Sequence, residues 1–416
     1  MVANGFRVAQ IGKYYPPHKG GMESHLEALC AELRGLIDLR VLVANDGARC
    51  DESVVNGITI TRVGTPCKFA AAPICPGLIR QIRRARADLI HLHLPNPWAV
   101  MACLAADRRT PMVVTYHSDV VKQQVLGRMF EPWLRRILER CAAVIATSRA
   151  YVESSRTLTS YRDKCRIVPH GISIARFRRY DRVVAARIRE RYGSRLVISV
   201  GRLVYYKGLD YLIRAMRAVE GRLLIVGEGP LRSSLEREAR ANGVEDRVVF
   251  LGDVDDVVPY YHAADLFVLP SIARSEAFGI VQLEAMICGK PVINTRLDSG
   301  VPFVSVDGAT GITVAPANHE QLASSINSLL DDPARRALYG MAAQRRVRQE
   351  FTVARMAERT LQIYGEVMGV AIERPKSSRI AEPGNRAARY AGAMEVDSRL
   401  SAGASALRNS SVAPGR

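Results

Sequence analysis

The 416-residue chain predicts an α/β protein of two doubly wound halves facing each other across a cleft, followed by a disordered basic tail. Three observations carry this. Short apolar runs alternate with helically spaced segments along almost the whole chain, the pattern of parallel sheets with helices on both faces. An Arg-rich stretch, ARFRRYDRVVAARIRERYGS, interrupts the alternation once and divides residues 1–178 from a second series over 179–370. The length also exceeds what a single core usually takes. Beyond about Glu373 large apolar residues give way to Ser, Ala, Gly and Arg, so 371–416 is expected to be disordered.

In the first half, 6–11 reads as the opening strand. The loop GKYYPPHKGG then leads into a helix over 22–34. Gly20 and Gly21 let the backbone approach a ligand closely at that helix start. A dinucleotide site would want G-x-G-x-x-G here, and Gly12-Lys13-Tyr14 does not supply it. Segments 39–44 and 58–63 are further strands, and 88–94 (DLIHLHL) is a buried one with His91 and His93 on one face. Two His at i, i+2 could ligate a metal, but no carboxylate or Cys of suitable spacing joins them. Satisfied histidines at a strand end are the better reading. The strand 111–115 runs into Tyr116-His117-Ser118-Asp119. Chemistry in such sheets gathers at the carboxyl ends of strands, so His117 is the stronger functional candidate.

The segment RMFEPWLRRILERC, from Arg128 to Cys141, spaces Phe130, Trp133, Leu134, Ile137 and Leu138 as a helical stripe. Arg128, Arg135, Arg136 and Arg140 edge it. A core-facing helix with a basic rim and a membrane-surface helix both fit, and both stay open. Strands 143–147 and 165–169, then His170-Gly171-Ile172, close the half. Strands at 195–200, 223–226, 248–251, 266–269 and 291–295 build the second, and helices over 322–330, 333–347 and 352–369 complete it.

The chemistry centres on SEAFGIVQLE, Ser275 to Glu284. A strand, a Gly-containing loop and a helix over 280–287 aim free N–H groups and a positive helix end at an anion, phosphate above all. Glu276 and Glu284 bracket the loop. Carboxylates would repel phosphate, so they suit hydroxyls. Phosphates in the middle and hydroxyl-rich groups at both ends describe a nucleotide sugar. Gly201-Arg202-Leu203-Val204-Tyr205-Tyr206-Lys207-Gly208 leaves another strand and supplies cations for a diphosphate: Arg202 through its planar fork, Lys207 as a point charge. Gly227-Glu228-Gly229-Pro230 is a tight turn whose backbone could face a base, or a plain structural turn. Asp253-Val254-Asp255 could bind a metal, but Asp255 capping a helix over 257–264 is the better reading.

These segments resemble retaining glycosyltransferases of the GT-B fold, family-4 type. SEAFGIVQLEAMICGKPVI is similar to their Glu-x7-Glu segment, GRLVYYKG to their G-R-x4-K-G element and GGMESH to their GG-x-E-x-H opening. The resemblance runs from about Phe6 to Gly369. It implies two Rossmann-like domains and a last helix that crosses back onto the first. Arg202 and Lys207 would stabilise the leaving group. Glu276 and the backbone of Phe278, Gly279 and Ile280 would hold the sugar, and Glu284 the ribose. Gly20, Gly21 and His117 would line the opposite wall, and His170, Gly227 and Glu228 join the substrate-binding candidates. In the family's proposed front-face mechanism the departing phosphate takes the acceptor's proton, so no protein nucleophile need exist; if Arg202 and Lys207 do the electrostatic work no metal is required, and no cofactor is expected. The chain departs from many members at Ser299-Gly300-Val301-Pro302-Phe303, where they carry Gly-Gly-x-Pro-Glu. This version resembles members that build bacterial surface polysaccharides from mannose or 6-deoxyhexose donors, which favours a GDP-sugar and a glycan or polyprenyl-diphosphate-linked acceptor.

Composition bounds the alternatives. A net charge of +18, of which +14 lies outside the tail, points to an anionic partner. An anionic membrane surface is expected, and nucleic acid is not. No run approaches the roughly 18 apolar residues of a membrane span. The N-terminus lacks a signal-peptide layout, so a cytoplasmic, membrane-peripheral protein is expected. Eight scattered Cys (30, 50, 67, 75, 103, 141, 165, 288) without a C-x-x-C pair fit reduced, mostly buried thiols. The rival functions are a nucleotide-sugar epimerase, a phosphorylase carrying a pyridoxal-phosphate lysine, and a non-enzymatic polyanion binder. The last leaves the two acids and two cations unexplained.

Overall fold

The computed structural model describes residues 6–18, 20–69, 72–106, 109–119 and 124–370, with the side chains of 124–128 left aside. The expected tail, 371–416, and Arg128 of the helical stripe lie outside this description. The strands are β1 (Arg7–Ile11), β2 (Asp38–Ala44), β3 (Asp51–Val55), β4 (Ile58–Val63), β5 (Cys67–Phe69), β6 (Ala72–Ile74), β7 (Leu89–Leu94), β8 (Met112–Tyr116), β9 (Ala143–Ala146) and β10 (Cys165–Ile167). There follow β11 (Leu196–Val200), β12 (Arg222–Val226), β13 (Val248–Gly252), β14 (Leu266–Leu269), β15 (Val292–Thr295) and β16 (Gly311–Val314). The first sheet has the order β10-β9-β8-β7-β1-β2-β4-β3, parallel except for β3 at its edge. The second is parallel throughout, β13-β12-β11-β14-β15-β16.

Alternate residues of each strand enter different cores, as a sheet covered on both faces requires. In the second sheet Leu196, Ile198, Leu224 and Phe267 face one core while Val197, Leu223, Ile225 and Leu266 face the other. The first sheet splits in the same way: Ala9, Ile11, Ile90 and Leu92 lie on one side, and Val8, Val41, Leu89 and Val113 on the other. That second side is closed by the helix Val353–Met368, whose Met356, Ala357, Leu361 and Tyr364 pack against Leu26 and Leu29 of the helix Gly21–Leu33. The last helix among the described residues thus crosses back onto the first domain. Two chain passages run side by side at the crossing. Ile172 N–H donates to Phe351 O at 2.9 Å and Val353 N–H donates to Ile172 O at 3.2 Å. A Cβ on Gly171 would run into the Thr352 backbone, so only glycine fits there.

Four strands and one helix cap depart from expectation. The edge strand β3, the hairpin β5–β6 and the last strand β16 have no apolar run to announce them. The helix after Asp253-Val254-Asp255 starts at Val258 with Val257 at its N-cap, so Asp255 does not cap it; Asp256, one residue before the cap, accepts from the Val258 N–H at 3.0 Å. All eight cysteines are free; five are buried, while Cys50 and Cys67 are exposed.

Candidate active site

The strand order of the second sheet reverses between β11 and β14, and in doubly wound sheets ligands bind in the crevice that opens at such a reversal. The loops leaving these two strands are the Arg202–Lys207 loop and the Glu276 loop. They meet: Lys207 Nζ lies 2.6 Å from Glu276 Oε2, with the side chains 11% and 10% exposed. The Ser271 hydroxyl donates to the same oxygen at 3.2 Å. The approach depends on Gly208, in the left-handed region at φ 62°, where a Cβ would strike the Pro270 carbonyl.

Gly279, at φ 73°, turns the Glu276 loop into the helix Ile280–Ile287, and a Cβ there would lie 2.7 Å from Leu269. No side chain among the described residues caps this helix, which leaves its positive end for a ligand. Across from it a Cβ on Gly21 would sit 3.8 Å from Ile280 Cδ1, so the two glycine-rich helix starts face each other closely. Gly20, in extended conformation, precedes the helix Gly21–Leu33. Glu284 is part-buried and accepts a hydrogen bond from the Tyr261 hydroxyl at 2.9 Å. Burial raises its pKa against the opposing effect of that bond. Phe278 is buried with its ring edge-on to His170, centroids 5.0 Å apart.

Other expected residues sit further out. Arg202 is exposed and is not brought into the Lys207–Glu276 pair. The Gly227-Glu228 turn is strapped to the Arg202 loop, since Leu203 N–H donates to Glu228 O at 3.0 Å, and the Glu228 carboxylate pairs with Arg232.

The opposite wall holds an interior group of five histidines. His117 follows β8, His91 and His93 lie on β7, His170 follows β10, and His25 comes from the GG-x-E-x-H segment. Hydrogen bonds set their tautomers. Gln10 donates its amide to the Tyr364 hydroxyl at 2.8 Å, and that hydroxyl shares a hydrogen bond with His91 Nδ1 at 2.6 Å. His91 Nε2 shares another with the Thr115 hydroxyl, also at 2.6 Å. Gln10 Oε1 accepts from His93 Nε2 at 3.0 Å, leaving His93 Nδ1 to accept from His117 Nε2 at 3.1 Å. His170 and His25 pair through their Nδ1 atoms at 2.8 Å, and His25 Nε2 is buried without a hydrogen-bond partner among the described residues. Burial first, then neighbouring rings for His91, hold the group neutral: His91 is pushed down to about 3 and His170 to about 4. His25, His93 and His117 move the same way. His25, His93 and His117 offer ligand atoms within 4.8 Å of one another, a juxtaposition that the i, i+2 spacing of β7 alone could not reveal.

Sequence reasoning named His117 and His170 as candidates but not His25, Tyr261 or Ser271. For His25 a signal existed: it sits four residues, one helical turn, beyond Gly21, on the face that Gly21 turns to the cleft. Tyr261 and Ser271 reach their carboxylates only through tertiary packing.

The helical stripe is divided. In the helix Gln124–Arg140, Ile137 and Leu138 are fully buried, and Phe130 and Leu134 pack partly against the core. Trp133 is 48% and Met129 71% exposed, with Arg135 and Arg136 exposed beside them. Trp133, Arg136 and Arg140 line a surface groove with Met101, Leu104 and Ala105.

Residues 19–176 match the family model described as Glycosyltransferase Family 4, and residues 185–346 match Glycosyl transferases group 1. The chain is 31% identical over 338 residues to D-rhamnosyltransferase WbpZ of Pseudomonas aeruginosa, spanning 80% of this chain and 88% of that protein. It is 31% identical over 354 residues to the GDP-mannose-dependent alpha-(1-6)-phosphatidylinositol monomannoside mannosyltransferase of Mycolicibacterium smegmatis, spanning 79% and 91%. Its fold matches sucrose-phosphate synthase from Thermosynechococcus elongatus with a TM-score of 0.73 at 24% identity, covering 88% of this chain and 99% of that one. The chain belongs to the two-domain GT-B glycosyltransferases that join a Family 4 N-terminal domain to a group 1 C-terminal domain.

Proposed function

We propose that the chain is a retaining, metal-independent hexosyltransferase that takes mannose or a 6-deoxyhexose from a GDP-sugar and places it on a glycan or lipid-linked acceptor in surface-polysaccharide synthesis. One observation carries the reading: the Lys207–Glu276 pair stands at the strand-order reversal beside an uncapped helix end. On donor binding, Lys207 is to exchange its carboxylate partner for a phosphate oxygen. The freed Glu276 then accepts hydroxyls of the sugar. Arg202, exposed at the loop, closes on the diphosphate, and the Ile280 helix end adds its positive potential where charge grows as the leaving group departs. Glu284, held by Tyr261, accepts the ribose hydroxyls. His117 and His170 present neutral rings to the reacting sugar, and the departing phosphate takes the acceptor's proton, so positioning and charge stabilisation do the catalysis.

Mannosyl and rhamnosyl transfer by the relatives supports the sugar class, and GDP-mannose dependence in one of them supports the base. The exposed Trp133 and Met129 beside Arg135 and Arg136 support work at an anionic membrane surface. No helix among the described residues is long and apolar enough to cross a membrane. A thermal-shift panel of nucleoside diphosphates tests the donor. A ligand that binds only the folded chain adds about 2.7 kcal/mol at one hundred times Kd. GDP should give the largest shift, and GDP-mannose should then be turned over. A panel in which UDP outranks GDP refutes the base, and no response to any nucleotide refutes the donor class.

A further inference from the structure

His117 and Glu276 stand on opposite walls, and each has a charged residue two positions further along the chain or two before it: Asp119 and Arg274. These two meet. Arg274 Nη2 lies 3.2 Å from Asp119 Oδ2 and 3.2 Å from Ser154 Oγ, across the cleft from its own loop. On its own side the Arg274 Nε donates to the Asp298 carbonyl at 3.2 Å. Ser154, from the first domain, donates to the same carbonyl at 2.7 Å. Asp119 is fixed independently. The Tyr116 and Ser155 hydroxyls each donate to its Oδ1 at 2.9 Å, and its backbone N–H donates to the Tyr151 hydroxyl at 2.6 Å.

Exposed ion pairs usually contribute little, because ordering two long side chains cancels the Coulomb gain. Here that ordering is largely met before the partners touch: two hydroxyls set the Asp119 carboxylate, and a carbonyl sets the Arg274 guanidinium. The Arg274 side chain is 30% exposed and that of Asp119 18%, which reduces screening as well. A preset carboxylate facing a preset guanidinium is a contact that forms in one relative placement of the two domains.

We propose that Arg274 and Asp119 form a latch that sets the closed spacing of the cleft. Arg274 is thereby a positioning residue for Glu276, and Asp119 one for His117. The roles of His117 and Glu276 rest on the function proposed above, whereas the contact between the walls does not.

The test uses the full chain with Arg274→Met, Arg274→Lys, Asp119→Asn and the Arg274→Met/Asp119→Asn double variant. Three readouts are compared: amide hydrogen exchange, GDP affinity by calorimetry, and GDP release from GDP-mannose. Asp119→Asn should speed exchange in 271–276, on the other domain, and Arg274→Met should speed it in 148–155, each about tenfold. That corresponds to about 1.4 kcal/mol. Turnover should fall about as far with the donor KM nearly unchanged, the mark of lost positioning. Arg274→Lys should recover part of the loss. The double variant should match the worse single one, because a contact can be broken only once. Exchange changes confined to the mutated domain, or effects that multiply in the double variant, overturn the latch. If GDP does not bind the unmodified chain, the donor assignment fails and the exchange readout still decides the latch.

Discussion

Lowering the pH from 7 to 5 should destabilise the protein through its interior histidines. An unfolded histidine titrates near 6.5 and takes up protons across this interval. In the folded chain His91, pushed down to about 3, and His170, at about 4, do not. The unfolded state therefore binds more protons, and stability falls as pH falls: it is fully present above about 6.5 and is lost as the pH drops toward the folded values. Each fully displaced ring costs about 1.4 kcal/mol per pH unit below 6.5. By pH 5 this is about 2 kcal/mol for His91 and about 2 kcal/mol for His170, with His25, His93 and His117 adding in the same direction. About 4 kcal/mol from two rings is a large share of the roughly 5–15 kcal/mol that keeps a domain folded. Urea unfolding followed by circular dichroism at pH 7, 6 and 5 gives the slope of stability against pH, which counts the extra protons. At least two are expected for the unmodified chain, and about one fewer for His170→Asn. A flat profile, or an unchanged slope in His170→Asn, refutes the reasoning.

The two acids should fail differently. Glu284→Ala should weaken GDP binding about tenfold or more, while Glu276→Ala should mainly lower turnover; equal, negligible effects would return the loop to a plain strand–loop–helix unit. Transfer should persist in excess EDTA, since Lys207 and Arg202 neutralise the diphosphate, and loss with recovery by manganese would bring Asp253 and Asp255 forward as ligands. Co-sedimentation with vesicles should require acidic lipid, weaken with salt, and drop when Arg135 and Arg136 become Glu, each charge near the surface contributing about 1 kcal/mol. Equal sedimentation of a folded double variant would assign that helix to packing alone.

What the amino-acid sequence made legible was what local pattern encodes. The helix at 280–287, the strands 58–63 and 266–269 and the Gly-Arg-x4-Lys-Gly loop were readable because periodicity and turn residues act over a few positions. The polar strand β3 was not, since DESVV pairs at an exposed edge and buries little. Nor was the histidine group. His91 and His93 looked like an isolated pair because His25, His117 and His170 join them only when three strand ends and a helix start converge. The stripe from Phe130 to Leu138 carried a real ambiguity, and the fold divides it: Ile137 and Leu138 go inward while Trp133 stays out.

The side-by-side passages at Ile172 and Phe351 carry a consequence for how the chain matures. The first domain borrows Met356, Ala357, Leu361 and Tyr364 from the helix that follows the second domain, and Tyr364 also anchors Gln10 and His91. During synthesis, therefore, the N-terminal half leaves the ribosome with Leu26 and Leu29 uncovered and its histidine pocket open. It must wait for nearly two hundred more residues before its own interior can be sealed. A fragment ending near residue 178 would be a permanently unfinished domain that exposes an apolar groove to every neighbour. The second domain can close its own sheet first, and the last helix then completes the molecule by docking on the part that was made first.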